Sequence, residues 1–328
     1  MIKFNLSKSV IATTIAIFFS ASAVADVINI DSCESLELLS ENPSGTFQLT
    51  SDIDCNGHEL PSLGIFKGTL DGQGFNINQL TIIGTDSNVG LFEQLRGSEI
   101  SNVTFDSVDL SIAEDVKTIG ILAGRAYDSQ LTNVHVNNSV IDAPFAASLG
   151  AAMVLGTTDD TIGTNISVSN SNLNVTSTGA TGQLFGRIKH STFSTLSSRG
   201  NVISIDAESQ NFVGGLVGNV FYSSLSSLHS RDNTISGQML TRGKIGLLVG
   251  QLTYDSSIKT ADLLNDYFDL PLDGDNLDKG IAAGFIYNPI DDAASLSDIT
   301  ATGVNPTLAW YNKRQSETDI LTENLTIK

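Results

Sequence analysis

Short, glycine-rich apolar segments recur at a nearly constant interval, and nothing else in the chain restricts its fold as strongly. They read TIGILAG at residue 118, TGQLFG at 181, NFVGGLVG at 211, KIGLLVG at 244 and KGIAAG at 279. Two looser copies extend the series, whose first glycines fall at Gly90, Gly120, Gly150, Gly182, Gly214, Gly246 and Gly280, spaced 30, 30, 32, 32, 32 and 34 residues apart. Five of the seven carry a second glycine four residues on: Gly124, Gly186, Gly218, Gly250 and Gly284. A near-constant period over seven copies marks a solenoid.

Each repeat carries two further apolar stretches. The second reads SEISNV at 98, SQLTNV at 129, STFSTL at 191, SSLSSL at 223 and SSIKTA at 256; the third reads DSVDLSI at 106, NNSVI at 137, NVISI at 201 and NTISG at 233. Runs this short, rich in Val, Ile, Leu and Thr and broken by Gly, Ser and Asn, cannot hold a 3.6-residue stripe. Three short strands per period predict an all-β fold, a parallel β-helix solenoid of about seven to nine three-sided coils. The glycines are expected to turn the chain at positive φ and to let one coil lie close to the next. Flanks this short and polar exclude a membrane-dimerisation role for the GxxxG pairs.

Stacked coils need caps at their open ends. DSCESLELLSENPSG predicts a short N-terminal capping helix, with Asp31 as N-cap, Glu34 as its reciprocal partner, Leu36, Leu38 and Leu39 facing inward, and Pro43 to Gly45 as the stop. The only cysteines, Cys33 and Cys55, are expected to form a disulfide pinning this cap to QLTSDIDCNG. At the far end, Trp310 in TLAWYNKRQSETD is expected to help close the column.

Residues 1–25 combine Lys3 and Lys8, an apolar run from Val10 to Phe19 and the small-residue end Ala23-Val24-Ala25, the pattern of a secretory signal peptide. The run is short for a bilayer, and no transmembrane segment is expected elsewhere. The expected organisation is a signal at 1–25, a cap at 26–57, coils over 58–309 and a C-terminal cap or tail at 310–328. Localisation is then extracellular, cell-surface or periplasmic. Removing Lys3 and Lys8 leaves 15 basic against 36 acidic residues, a net charge of −21. That balance repels phosphate backbones and excludes nucleic acid as a partner.

The segments GTFQLTSDIDCNG, FKGTLDGQGFNINQL and GLVG at 215–218 resemble those of GLUG-motif proteins, exported bacterial β-helical repeat proteins. The resemblance covers roughly residues 27 to 290 and implies a surface-associated, adhesin-like protein. It brings no catalytic residue. The chain departs from the pattern where Gln94 and Val154 stand in place of second glycines.

Counted from the anchors, Tyr127 and Tyr287 lie at +7 and Tyr222 and Tyr254 at +8, which puts four of the six tyrosines at one corner beside Asp128 and Asp255. Such a row either stacks a sugar or polymer or packs on itself. Asp159-Asp160 and Arg187-Ile188-Lys189 invite comparison with polysaccharide-cleaving β-helices, but Asp159 counts to +9 and Arg187 to +5, so they are not expected to converge on one bond. The Gly-His-Gly companion is absent from the sequence. Asp269, Asp273, Asp275 and Asp278 form an acidic insertion; calcium there is considered, but the spacing is not that of an EF-hand and a solvated loop is the expectation. No catalytic residue, metal site or cofactor is assigned.

The resulting expectation is an exported, non-catalytic binding or adhesion module with a polysaccharide or cell-surface protein as partner. A polysaccharide-degrading enzyme and a structural component of an exported assembly are the alternatives.

Overall fold

The computed structural model describes residues 26–205, 211–237, 242–271, 276–287, 294–305, 308–313 and 321–328. The expected signal at 1–25 and the acids Asp273 and Asp275 lie outside them. The fold is a three-sided parallel β-helix, whose described residues form sheets of 13, 14 and eight strands on its first, second and third faces. On the third face, Ala123–Tyr127, Leu155–Asp159, Phe185–Lys189 and Val217–Phe221 stack in parallel, one strand per coil.

Six regular coils run from Glu99 to Tyr287, each opening on an eight-residue first-face strand such as Gln130–Asn137 or Ser224–Arg231. Six is slightly below the expected seven to nine because the N-terminal coils are built from fragments. Thr69–Asp71 and Asn76–Asn78 both pair with Glu99–Asp106, and the Gly72–Phe75 segment between them is not itself a strand, although Gly72 and Gly74 donate to the Ser101 and Asn102 carbonyls.

Apolar side chains at alternate strand positions fill the interior, as the period-2 pattern requires. One column holds Ile100, Leu131, Phe193, Leu225, Ile258 and Leu296, all buried, with the Phe193 ring occupying the space beside Gly163. At the N-terminal end Phe66 stacks on Phe92, and Phe47 packs on Phe66 at a tilt.

The glycines serve one of the two purposes expected of them. None of the anchor glycines has positive φ. The corners are instead turned by columns of non-glycine residues in the left-handed region, among them Asn102, Asn133 and Asn165 on the first face (φ 52, 54 and 54°). Asn and Asp tolerate that conformation best because their short polar side chains bond locally. Here the amides also link the coils, Asn133 Nδ2 donating to Asn102 Oδ1 at 2.7 Å and Asn165 Nδ2 to Asn133 Oδ1 at 2.8 Å. The glycines permit close approach. A Cβ on Gly214 would lie 2.7 Å from the Gly250 nitrogen, and one on Gly218 would lie 2.4 Å from the Thr181 nitrogen and 2.6 Å from the Gly186 carbonyl oxygen.

Buried corner amides find partners in the next coil. Thr161 N donates to Ser191 Oγ, Ser191 N to Ser223 Oγ and Ser223 N to Ser256 Oγ. At the next corner, Ser139 N donates to Ser171 Oγ, Ser171 N to Asn201 Oδ1, Asn201 N to Asn233 Oδ1 and Asn233 N to Asp266 Oδ1.

The cap is a single turn of 3-10 helix, Glu34–Glu37, running into the α-helix Leu38–Glu41. Its start differs from the expected Asp31–Glu34 pair: the Ser35 hydroxyl accepts the Asp31 and Ser32 amides instead. Leu36 and Leu39 are buried. Cys33 and Cys55 are bonded across 22 residues. Replacing both by serine is expected to lower stability by about 3 kcal/mol, the entropy released to the unfolded chain by opening a loop of this length; the urea midpoint of the double variant measures it. At the far end, Ile281 donates to the Ala309 carbonyl, and Ala282 and Ala283 to that of Trp310, so this segment lies across the last rung. Leu321–Ile327 extends the first sheet beyond Ser295–Thr302. Among the described residues no helix is long and apolar enough to cross a membrane.

Candidate functional site

Strand register redraws the map of the side chains on the third face. Thr118 pairs with Gly150 and Ile119 with Ala151, so Ala152, not Gly150, stands opposite Gly120. The second glycine of that coil is therefore Gly156, opposite Gly124, and Val154 replaces nothing. Likewise Glu93, not Gln94, faces Gly124. Asp159 consequently lies in one column with Arg96, Tyr127, Lys189, Phe221, Thr253 and Tyr287. Asp159 and Arg187 line the same cavity, together with Arg125, Tyr127, Leu149, Thr157 and Lys189. The expectation that they stand apart is corrected: it rested on the wrong anchor.

The four tyrosines divide between two columns. Tyr127 and Tyr287 occupy the strand end just described. Tyr222 and Tyr254 sit one residue on, at a left-handed corner shared with Asp128, Asp160 and His190 (φ 43 to 50° in all five). For a tyrosine that conformation costs on the order of 1 kcal/mol, and ring stacking offsets it. Tyr222 and Tyr254 stack at 5.1 Å, His190 lies on Tyr222 at 5.3 Å, and Tyr287 meets Tyr254 edge-on at 5.7 Å. Tyr222 keeps 42% of its surface exposed. Tyr127 stands apart from this stack under the guanidiniums of Arg96 and Arg125. Asp255 is an exposed extra residue at the Tyr254 corner, and Asp128 lies toward the N-terminal end beside Glu99 and Gln130.

Asp159 holds the centre of the face, bound by Lys189 Nζ at 3.0 Å and His190 Nδ1 at 3.1 Å. Asp159, Asp160 and His190 present ligand atoms within 4.8 Å of one another.

Beside this column runs another that sequence counting passed over: Arg125, Thr157, Arg187, Asn219, Gln251 and Phe285 on successive coils. Read from the corrected anchors, all six fall at +5, so the same ruler that found the tyrosines contains it. Arg187 lies 4.8 Å over the Phe221 ring, and Lys244 on the second face lies over the Phe212 ring beside it and reaches across to the Phe285 ring of the third face. The larger cavity of about 370 Å³ opens elsewhere, between Asp142, Asn174, Ser204 and Gly237, and gathers no basic group.

Residues 30–138, a third of the chain, match the N-terminal region of the M26 IgA1-specific metallo-endopeptidases. A candidate immunoglobulin A1 protease from Bacteroides ovatus superposes with a TM-score of 0.57 at 15% identity, over 92% of this chain and 83% of its own. An IgA1 protease superposes with a TM-score of 0.51 at 19% identity, over 91% of this chain. The chain spans 23% of that protein's length. At such identities the superpositions establish the fold alone. No curated protein matches.

The match corrects the expectation of a non-catalytic adhesion module, because the segment that opens this β-helix is one found at the front of a peptidase family. It also removes support from the expectation of no cofactor, since that family is named for a metal. The Asp159–Asp160–His190 cluster does not fit a peptidase zinc. Such a centre takes three protein ligands, typically two of them histidines. Here one imidazole and two carboxylates sit at a partly exposed corner, and Lys189 already neutralises one of the carboxylates.

Proposed function

We propose that the chain is a protease-related β-helix that engages a polypeptide substrate for proteolytic attack. The match of residues 30–138 to the metallo-endopeptidase N-terminal region carries this reading. The His-Glu-x-x-His helix of zinc peptidases has no counterpart in the sequence, where His58-Glu59 is followed by Ser62 at the second histidine's position. Substrate engagement is then the part of proteolysis that falls to these residues. The third face suits it, with the aromatic stack of Tyr222, Tyr254 and Tyr287, of which Tyr222 is exposed, beside a groove of fixed polar groups. Export through residues 1–25 and kinship with GLUG-type repeats belong to the same proposal.

The test uses chain recovered from the culture medium. Its N-terminus is expected near Asp26. It is expected to retain immunoglobulin A1 on a sensor surface and to raise the rate at which an M26-type endopeptidase cleaves that protein. Absence of both binding and any effect on cleavage overturns the reading.

A further inference from the structure

Three basic residues, Arg125, Arg187 and Lys189, line one groove of the third face, and Arg96 stands next to Tyr127 in the column that borders it. The remainder of the chain is strongly acidic, so this concentration is a local reversal of sign. Asp159 is the acid inside the groove and is already held by Lys189 and His190. The Arg125 and Arg187 guanidiniums stand two coils apart in one column, with Thr157 between them, or about 9–10 Å at roughly 4.8 Å per coil, which suits a linear ligand better than a compact one.

A second observation is independent of charge. Arg187 Nε, Asn219 Oδ1 and Gln251 Oε1 stand on three consecutive coils in one column, each buried and without a hydrogen-bond partner among the described residues. Asn219 is only 4% exposed. A buried polar atom left unmatched costs about 1–3 kcal/mol, and three in a row on an outward-facing column is a cost a ligand can remove. Side-chain amides can donate or accept according to their flip, so the column offers a guanidinium donor followed by two groups able to match either half of a peptide unit.

We infer that this groove binds an extended acidic polypeptide, with Arg125, Arg187 and Lys189 taking its carboxylates and Asn219 and Gln251 its backbone. The choice of polypeptide rests on the protease-related reading; the anionic character rests on the groove alone. Charge supplies orientation and on-rate, and the buried column supplies the lifetime of the complex.

Fluorescently labelled poly-L-glutamate added to the chain from Asp26 onward tests this directly, with no peptidase present. Binding is expected at low salt and is expected to weaken markedly at roughly 0.15 M salt. The Arg125→Gln/Arg187→Gln pair is expected to raise Kd at least about tenfold, and Asn219→Leu by about tenfold with little change in salt dependence. Arg199→Gln/Arg231→Gln, on the exposed first face, is expected to leave Kd unchanged. Urea midpoints confirm that each variant is folded. No binding by the wild-type chain, equal losses in the groove and first-face pairs, tighter binding of polygalacturonate than of poly-L-glutamate, or a signal due to self-association would each overturn the proposal. Binding that persists when immunoglobulin A1 is neither bound nor cleaved faster would sink the protease-related reading and leave an anion-binding groove.

Discussion

Gly218→Ala is expected to lose about 3 kcal/mol of stability, at the upper end of what overpacking a well-filled interior costs. The added methyl would sit 2.4 Å from the Thr181 nitrogen and 2.6 Å from the Gly186 carbonyl oxygen, both of them backbone atoms that belong to the preceding coil. No side-chain rotation relieves such a contact, so the two coils must separate. In a solenoid each coil is stabilised mainly by its neighbours, and a local parting exposes two interfaces. The urea midpoint followed by circular dichroism measures the loss. Ser226→Ala, on the first face, is expected to change stability by less than about 0.5 kcal/mol. Equal midpoints for the two variants would show that close coil approach is not why the glycine is there.

Asp266→Asn is expected to stabilise the protein near neutral pH. Asp266 ends the buried corner column of Ser139, Ser171, Asn201 and Asn233 and is 1% exposed. Burial pushes its carboxyl up from 3.8 to about 6, against the lowering effect of its hydrogen bonds with Asn233 and Ser230, and Asp232 adds to the rise. Its second oxygen, Oδ2, is buried without a partner. Below about pH 4 the group is protonated in folded and unfolded chains alike and costs nothing. Between about 4 and 6 the folded chain keeps a proton that the unfolded chain has released, so stability falls as pH rises. Above about 6 the whole cost is present, about 2–3 kcal/mol for a shift of this size. Asparagine continues the amide column without a charge. The variant is expected to gain most of that amount at pH 8 and nothing at pH 4, read as the difference in urea midpoint from wild type. A variant no more stable than wild type at pH 8 would contradict a charged, destabilising Asp266.

The site was legible in part. Counting from glycines found the aromatic stack because Tyr222, Tyr254 and Tyr287 belong to coils whose anchors are true glycines in register. Counting failed at Asp159, where Ala152 takes the anchor's place and Gly150 lies two residues early. That slip separated Asp159 from Arg187, which share a cavity. The column through Arg187, Asn219 and Gln251 escaped notice for another reason: no one residue type runs along it, since its two arginines are separated by Thr157. Its common property is burial without a partner, which exists only once neighbouring coils are in place. Asp266 is similar, since one aspartate among 36 acidic residues becomes unusual only through the coil that covers it.

Period and residue type were enough, by themselves, to determine a three-sided parallel coil, a disulfide-pinned cap and a tyrosine-bearing corner, because each follows from local preferences repeated at a fixed interval. Coil register, the left-handed corner columns, the basic groove and the Asp266 environment were decided by the tertiary structure alone. A single residue gained or lost in one turn leaves the period recognisable, yet it changes which side chains meet across the 4.8 Å or so between coils.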